Sequence, residues 1–338
     1  MHRLIAAAAL SLALASQALA APVEMIVGGT AFRNTDGERL WLGFRDRLVA
    51  NAAAAVRPRM LIYGELGSEE QIVSGLRRGR VHFANLSANI AATVVPEVSL
   101  IYTPFLFEDA AEADFVLDRY LTPEYERLFA AKDLVFIQWF EIGFHHVYSR
   151  NKPLLVPADA RGVRFRVAAS EAARQFARAL SADVIPLAYA DIIPSLQTGL
   201  IEAGENSVVM YSRTGIAQEA PHLTLTGHSL GMSVIVAQKR FWDRLQPAQR
   251  EAIRKAFPSL AETRRTIRAE EQRDLDDAGR LGFTVHALTA AQRQQWSEAT
   301  RATHATLVRA TGGETQRLYE LALKGKREYA ARGAAAPP

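Results

Sequence analysis

Short apolar runs alternate along the chain with stretches in which apolar residues recur every three or four positions. Met25-Ile26-Val27-Gly28 reads as a short buried strand opening into a Gly, Thr and Asn loop, and Leu40, Phe44 and Leu48 then mark one face of a helix. Arg59 to Tyr63 reads as a second strand. Ser68 followed by Gln71 is a capping-box signature for a helix with the apolar stripe Ile72, Val73 and Leu76, after which Val81 to Ala84 resumes as a strand. Strand, helix and strand repeated in this order predict α/β layers around a largely parallel sheet.

Thr103-Pro104-Phe105-Leu106-Phe107 closes this run as a Pro-stiffened apolar loop. Two helices between Asp109 and Lys132, joined around Thr122-Pro123, lead to Leu134-Val135-Phe136-Ile137, a strand buried on both faces by composition. A first crossover is placed near Gly143. Beyond it come Val147-Tyr148, a Pro-containing loop, and the strand Val163 to Val167, whose alternation sets Val163, Phe165 and Val167 on one face and Arg164 with Arg166 on the other. Ser170 and Asp191 are placed to cap the next two helices, with Pro194 in a first turn that tolerates its missing N–H. Ser233 to Ala237 is expected to return to the first unit. The remainder is helical by period, with a long segment around Ala248 to Arg280 broken at Pro258, a helix capped by Thr289 through Trp296, and a last one anchored by Leu318 and Leu321. No repeat or low-complexity linker occurs, so chain crossings must join the units.

Composition narrows the class. His2 and Arg3, an apolar run from Leu4 to Ala15, and Ala18-Leu19-Ala20 before Ala21 form a secretory signal pattern, so residues 1–20 are excluded from the fold and an extracytoplasmic location is expected. At about 150 residues per domain, what remains suits two lobes. The chain has no cysteine, which removes disulfides, thiolate metal sites and a lipid-modified cysteine together. Its net charge of +4 is interleaved rather than massed, unlike a nucleic-acid-binding stripe. The densest basic spots, Arg57 with Arg59, Arg77-Arg78-Gly79-Arg80, and Arg264-Arg265, are read as solvated surface. No Gly-x-Ser-x-Gly elbow, HExxH helix or thiol supports an enzyme, and no cofactor is called for.

Candidate chemistry centres on Gly162 to Val167 and on Gly204-Glu205-Asn206-Ser207. An arginine offers a planar pair of donors that match a carboxylate, and an asparagine beside it both donates and accepts, which suits capture of a small organic anion. Arg164 shares the face of Arg166 and competes for the role. His145 and His146 are adjacent on a strand and point to opposite faces, which argues against one shared metal ion. Trp139, Phe144, Tyr189 and Tyr211 read equally as cleft walls or as core. Glu65, Ser87, Asn89 and Ser170 fall at loop or cap positions facing the carboxyl ends of strands, where open α/β sheets bind ligands; Ser170 adds a helix N-terminus.

Gly64-Glu65-Leu66-Gly67-Ser68-Glu69 before a helix, Thr103 to Phe107, Arg161 to Val167, Asp191 to Asn206 and Leu225-Thr226-Gly227-His228, in this order, carry a resemblance over essentially the whole mature length. The chain resembles the solute-binding proteins of tripartite ATP-independent periplasmic (TRAP) transporters. The resemblance implies a two-lobe α/β clamp, type II-like, with a long interlobe helix and delivery of ligand to membrane subunits. Lobe I is expected over 21–142 plus about 231–270, lobe II over 143–230 plus about 271–332, and a disordered tail over 333–338. It further implies that Arg166 pairs with the ligand carboxylate and that Asn206 orients it. A second family arginine commonly follows Gly-Phe, whereas Gly143-Phe144 precedes His145 here. A histidine offers one hydrogen bond where an arginine offers a charged fork, which points to a monocarboxylate with a polar or aromatic body. The alternative reading is a sensor component presenting the same kind of carboxylate to a signalling partner.

Overall fold

The computed structural model describes residues 22–51 and 55–335. The expected signal segment 1–20 lies outside them, as do residues 336–338 of the expected tail. The last helix, Thr315–Ala335, runs into the start of that tail.

Among the described residues nine strands form one mixed sheet: β1 (Val23–Gly28), β2 (Val56–Leu61), β3 (Phe83–Ser87), β4 (Leu134–Ser149), β5 (Arg164–Val167), β6 (Asp183–Pro186), β7 (Ala203–Ser207), β8 (His222–Gln238) and β9 (Thr284–His286). Their order is β2-β1-β3-β8-β4-β7-β5-β6, with β9 on β8. Parallel pairing at each end, β2-β1-β3 and β7-β5-β6, follows the strand-helix-strand order read from the sequence. The middle departs from it, because β8 runs antiparallel to both β3 and β4, and β4 antiparallel to β7. β4 and β8 span 16 and 17 residues and cross between the two halves, so the carboxyl ends of β1 and β3 face those of β5 and β7.

These long strands appeared in the sequence only as fragments. Register shifts at Phe136/Gln138, Glu141/Gly143 and His145/Val147 reset the alternation each time and hide a single strand from a period-two reading. Smaller differences have similarly local causes. β2 begins at Val56, ahead of the expected Arg59, and β3 runs on to Ser87, past the expected Ala84. The side chain of Asp191 does not cap: its backbone is already helical in the turn Tyr189–Asp191, whereas a capping residue is extended. Ser170 and Thr289 do cap, accepting from Ala173 N at 3.4 Å and Gln292 N at 3.2 Å. Gln71 reaches back to Ser68 N at 2.8 Å.

Two apolar clusters flank the first half of the sheet, one around Ile101, Leu117 and Val234 and one around Trp41, Phe44 and Phe257. Two more serve the second half, around Phe165, Phe176 and Trp296 and around Tyr148, Leu196 and Tyr211. Leu307, Val308, Leu318 and Ala322 are buried with Val98, Ile101 and Val116. The helix Thr315–Ala335, expected in lobe II, packs on Ala110–Val116, Leu117–Leu121 and Pro96–Tyr102 of the first half, while Ala302–Thr311 lies against both Pro96–Tyr102 and the helix Glu171–Ala179 of the second.

Pro258 breaks the long helical segment as expected, into Pro247–Ala256 and Leu260–Asp276. The second piece, about 25 Å long, packs on β4 where it crosses between the halves. It also corrects one surface assignment. Arg264 is buried, with its Nη1 and Nη2 donating to Asp118 at 2.7 and 2.9 Å, while Arg265 stays exposed.

Candidate functional site

Strand pairing decides which candidates share a face. Phe165 pairs with Ala203, which sets Arg166 beside Gly204; Tyr148 pairs with Gly204 and His146 with Asn206. Because successive side chains alternate, Arg166, Asn206, Tyr148 and His146 occupy one face. Val147 opposite Glu205, and His145 opposite Ser207, occupy the other.

Arg166 is 6% exposed, and both its Nε and its Nη2 donate to the carbonyl of Leu187, at 3.2 and 2.9 Å. Among the described residues no carboxylate lies within ion-pairing distance of it. Arg164 has the opposite circumstances: its side chain is 45% exposed, its Nη2 lies 3.0 Å from the Glu202 carboxylate, and its Nε donates to Gly199 O. A buried cation without a counter-ion is costly unless a partner arrives. Burial and partner thus distinguish the two arginines of this face, of which position in the family motif already favoured Arg166.

Asn206 is buried, and its Oδ1 accepts from Ser207 N at 3.0 Å. Tyr189 follows β6, stacks obliquely 5.4 Å from Phe32 of the first half, and shares a hydrogen bond of 2.8 Å with Thr214 Oγ1. Burial raises its hydroxyl to about 12, against the opposing pull of Thr214, Arg166 and Asn206. Tyr148 is fully buried, and its hydroxyl has no hydrogen-bond partner among the described residues.

On the other face His145 Nδ1 lies 2.6 Å from Glu205 Oε2, and His228 Nε2 approaches the same oxygen at 3.2 Å. The Nε2 of His145 is buried without a partner among the described residues. Burial alone would push the Glu205 carboxyl up; the attraction and hydrogen bond of His145, with the bond from His228, outweigh it and hold Glu205 far below the ordinary carboxylate range. Neither Glu205 nor His228 stood out in the sequence as a site residue. His228 reaches Glu205 because β8 moves from Ser229 to Thr224 while β4 advances only from His145 to Val147, a bulge that no local signal announces. His146 accepts from Gly227 N at 3.0 Å and faces Glu271.

The remaining candidates are dispersed. Ser87 gives its N–H and hydroxyl to Glu69, at 2.6 and 2.7 Å. Glu65 is exposed and accepts from Tyr63 N, and Asn89 sits half-buried in the short helix Ala88–Ala91. Tyr211 donates to Ala220 O and stacks on Tyr148, and Trp139 donates to Thr122; both are core, where the sequence left cleft wall open. Phe144 packs against the first core cluster. A cavity of about 350 Å³ opens elsewhere, between Leu76, Arg77, Leu86, Lys132, Leu134 and Arg240, and none of the candidates lines it.

Burial lowers the pKa of His228, and likewise that of His304, which bridges Pro104 O and Tyr319. Below the ordinary histidine value of 6.5 the unfolded chain takes up protons that these folded side chains resist. Stability is therefore expected to be level above about pH 7 and to fall below about pH 6.5, by up to about 1.4 kcal/mol per pH unit for each such histidine. Denaturant unfolding from pH 8 to 5 checks this, and a profile flat down to pH 5 contradicts it.

The family model described as bacterial extracellular solute-binding protein, family 7, matches residues 44–310. The C4-dicarboxylate-binding periplasmic protein DctP of Rhodobacter capsulatus is 26% identical over 318 residues, covering 92% of this chain and 94% of that protein. The 2,3-diketo-L-gulonate-binding periplasmic protein YiaO of Escherichia coli K12 is 25% identical over 256 residues, covering 76% and 78%. In fold, the chain is similar to the sugar acid binding protein DctPAm of Advenella mimigardefordensis in complex with galactonate, with a TM-score of 0.83 and 21% identity over 90% of this chain and 99% of that one.

Proposed function

From a chain that belongs to the bacterial extracellular solute-binding proteins of family 7, the solute-binding proteins of TRAP transporters, we propose the capture of a small organic acid through its carboxylate and its delivery to the membrane subunits of such a transporter. The observation that carries the reading is Arg166, a buried guanidinium with no carboxylate among the described residues beside it. A guest carboxylate supplies the missing charge, with Asn206 Nδ2 and the Tyr189 hydroxyl on the same side to orient it. Relatives that take dicarboxylates and sugar acids support an organic acid as the class of guest. The ligand presents one carboxylate to this face, because Arg164 is engaged by Glu202 and Arg213 by Asp274. The role is transport rather than catalysis, and the place of action is the periplasm.

Closure follows from the topology. Among the described residues β4 and β8 alone carry the sheet from one half to the other, and the carboxyl ends of β3 and β7 meet them on either side of the Glu141/Gly143 register shift. Bending there would part the Phe32 and Tyr189 sides, which touch in this structure, to admit an acid and return them over it.

A thermal-shift screen of small carboxylates, with native mass spectrometry of whatever co-purifies, tests the reading. A true ligand raises the melting temperature with the logarithm of its concentration over its Kd. If no organic acid shifts the melting temperature while an uncharged solute of similar size does, the reading is wrong.

A further inference from the structure

The residue at the second arginine position, His145, is turned to the face of Glu205, away from Arg166. The hydroxyl of Tyr148 stands on the face of Arg166 instead. Tyr148 is paired across the ladder with Gly204, and a methyl group added to Gly204 would lie 2.3 Å from Tyr148 Oη and 2.5 Å from Cζ. The tyrosine ring therefore lies across the glycine, toward the strand that carries Arg166, along a path that any other residue at 204 would block. Its hydroxyl ends in a fully buried place with no hydrogen-bond partner among the described residues, within reach of the guanidinium's field.

A buried hydroxyl left unpaired is destabilising, so this arrangement persists at a loss unless something completes it. A group that both Arg166 and a phenolic O–H serve must be an acceptor, since the guanidinium only donates and the phenol at neutral pH still holds its proton. We infer that Tyr148 is a ligand-binding residue that donates its hydroxyl to the carboxylate held by Arg166, replacing the second cation with a neutral donor, and that Gly204 is the residue that makes room for it. This rests on the proposed function and adds a specificity consequence. A neutral donor favours an anion without adding charge, which suits a guest with a single carboxylate head.

The test uses the mature protein with two probes, acetate up to molar concentration at constant ionic strength and galactonate, read by calorimetry and thermal shift. Tyr148→Phe keeps the ring and removes only the hydroxyl, so the fold should survive, and affinity for a bound probe is expected to fall about ten- to a hundredfold. Gly204→Ala should displace the ring and weaken binding in the same direction, whereas His145→Gln should change affinity less than threefold. Binding lost in Arg166→Ala but unchanged in Tyr148→Phe overturns the role of Tyr148 and leaves the proposed function standing. A larger loss in His145→Gln than in Tyr148→Phe also overturns it, by returning the second contact to the histidine. Failure of the wild-type protein to bind either probe counts against carboxylate capture itself, and this inference falls with it.

Discussion

Arg166→Ala is expected to weaken binding of the organic acid by about 2–5 kcal/mol, a loss large enough to abolish capture at micromolar ligand. The cause is the state of the guanidinium before ligand arrives. Its Nε and Nη2 share one backbone carbonyl, that of Leu187, which holds the group in place without neutralising it. Desolvation of the charge has therefore been met during folding, and the carboxylate meets a donor that needs no further ordering. The same fact gives an expectation of opposite sign for the free protein. Removing a buried cation that has no counter-ion should leave unliganded stability unchanged or raise it, so Arg166→Ala separates binding from folding. Arg166→Lys is a sharper probe of geometry, because an ammonium keeps the charge and loses the planar fork. Calorimetry and denaturant unfolding on the same three proteins check both statements. Unchanged affinity in Arg166→Ala removes the residue from the site; a large fall in apo stability makes its role structural.

Much of this was legible along the chain, and the rest was hidden for identifiable reasons. The α/β class, the two-lobe fold and its long helix follow from periodicity, from caps such as Ser68 and Ser170, and from the order of five short segments that resemble one family. The face shared by Arg164 and Arg166 was readable from alternation alone. Which of the two is buried was not, since that depends on Leu187 and Glu202, which the fold brings in from other segments. Glu205 and His228 were missed because each reads as an ordinary residue until a bulge in β8 brings them together. Tyr148 was missed for the opposite reason: an aromatic residue after a valine on a strand is what a core supplies, and only the pairing with Gly204 shows where its hydroxyl ends. Arg264 was misread as surface because its partners lie in a helical region that local pattern does not connect to it.

That region gives the second large effect. Arg264 and Arg268 stand one turn apart on the helix Leu260–Asp276 and face Asp114 and Asp118, one turn apart on the opposing segment. Arg268 also grips Glu141 with Nε and Nη2, at 2.8 and 2.7 Å. The Glu141 side chain is 2% exposed and lies on β4 at the register shift between the halves, and burial already raises its carboxyl pKa despite the arginine. Arg268→Ala leaves a buried carboxylate with Arg264 only at 3.7 Å, so stability should fall by about 3–5 kcal/mol. The loss has a pH signature. Without Arg268 the carboxyl rises further and protonates more readily, so the variant should be penalised more at pH 8 than at pH 5. Glu141→Gln added to Arg268→Ala removes the stranded charge and should recover a large part of the loss, which a simple packing defect would not allow. Denaturant unfolding of the single and double variants at both pH values decides the matter. A single-variant loss below about 1 kcal/mol, or no recovery in the double variant, would show that this network does not hold the helix to the crossing strand.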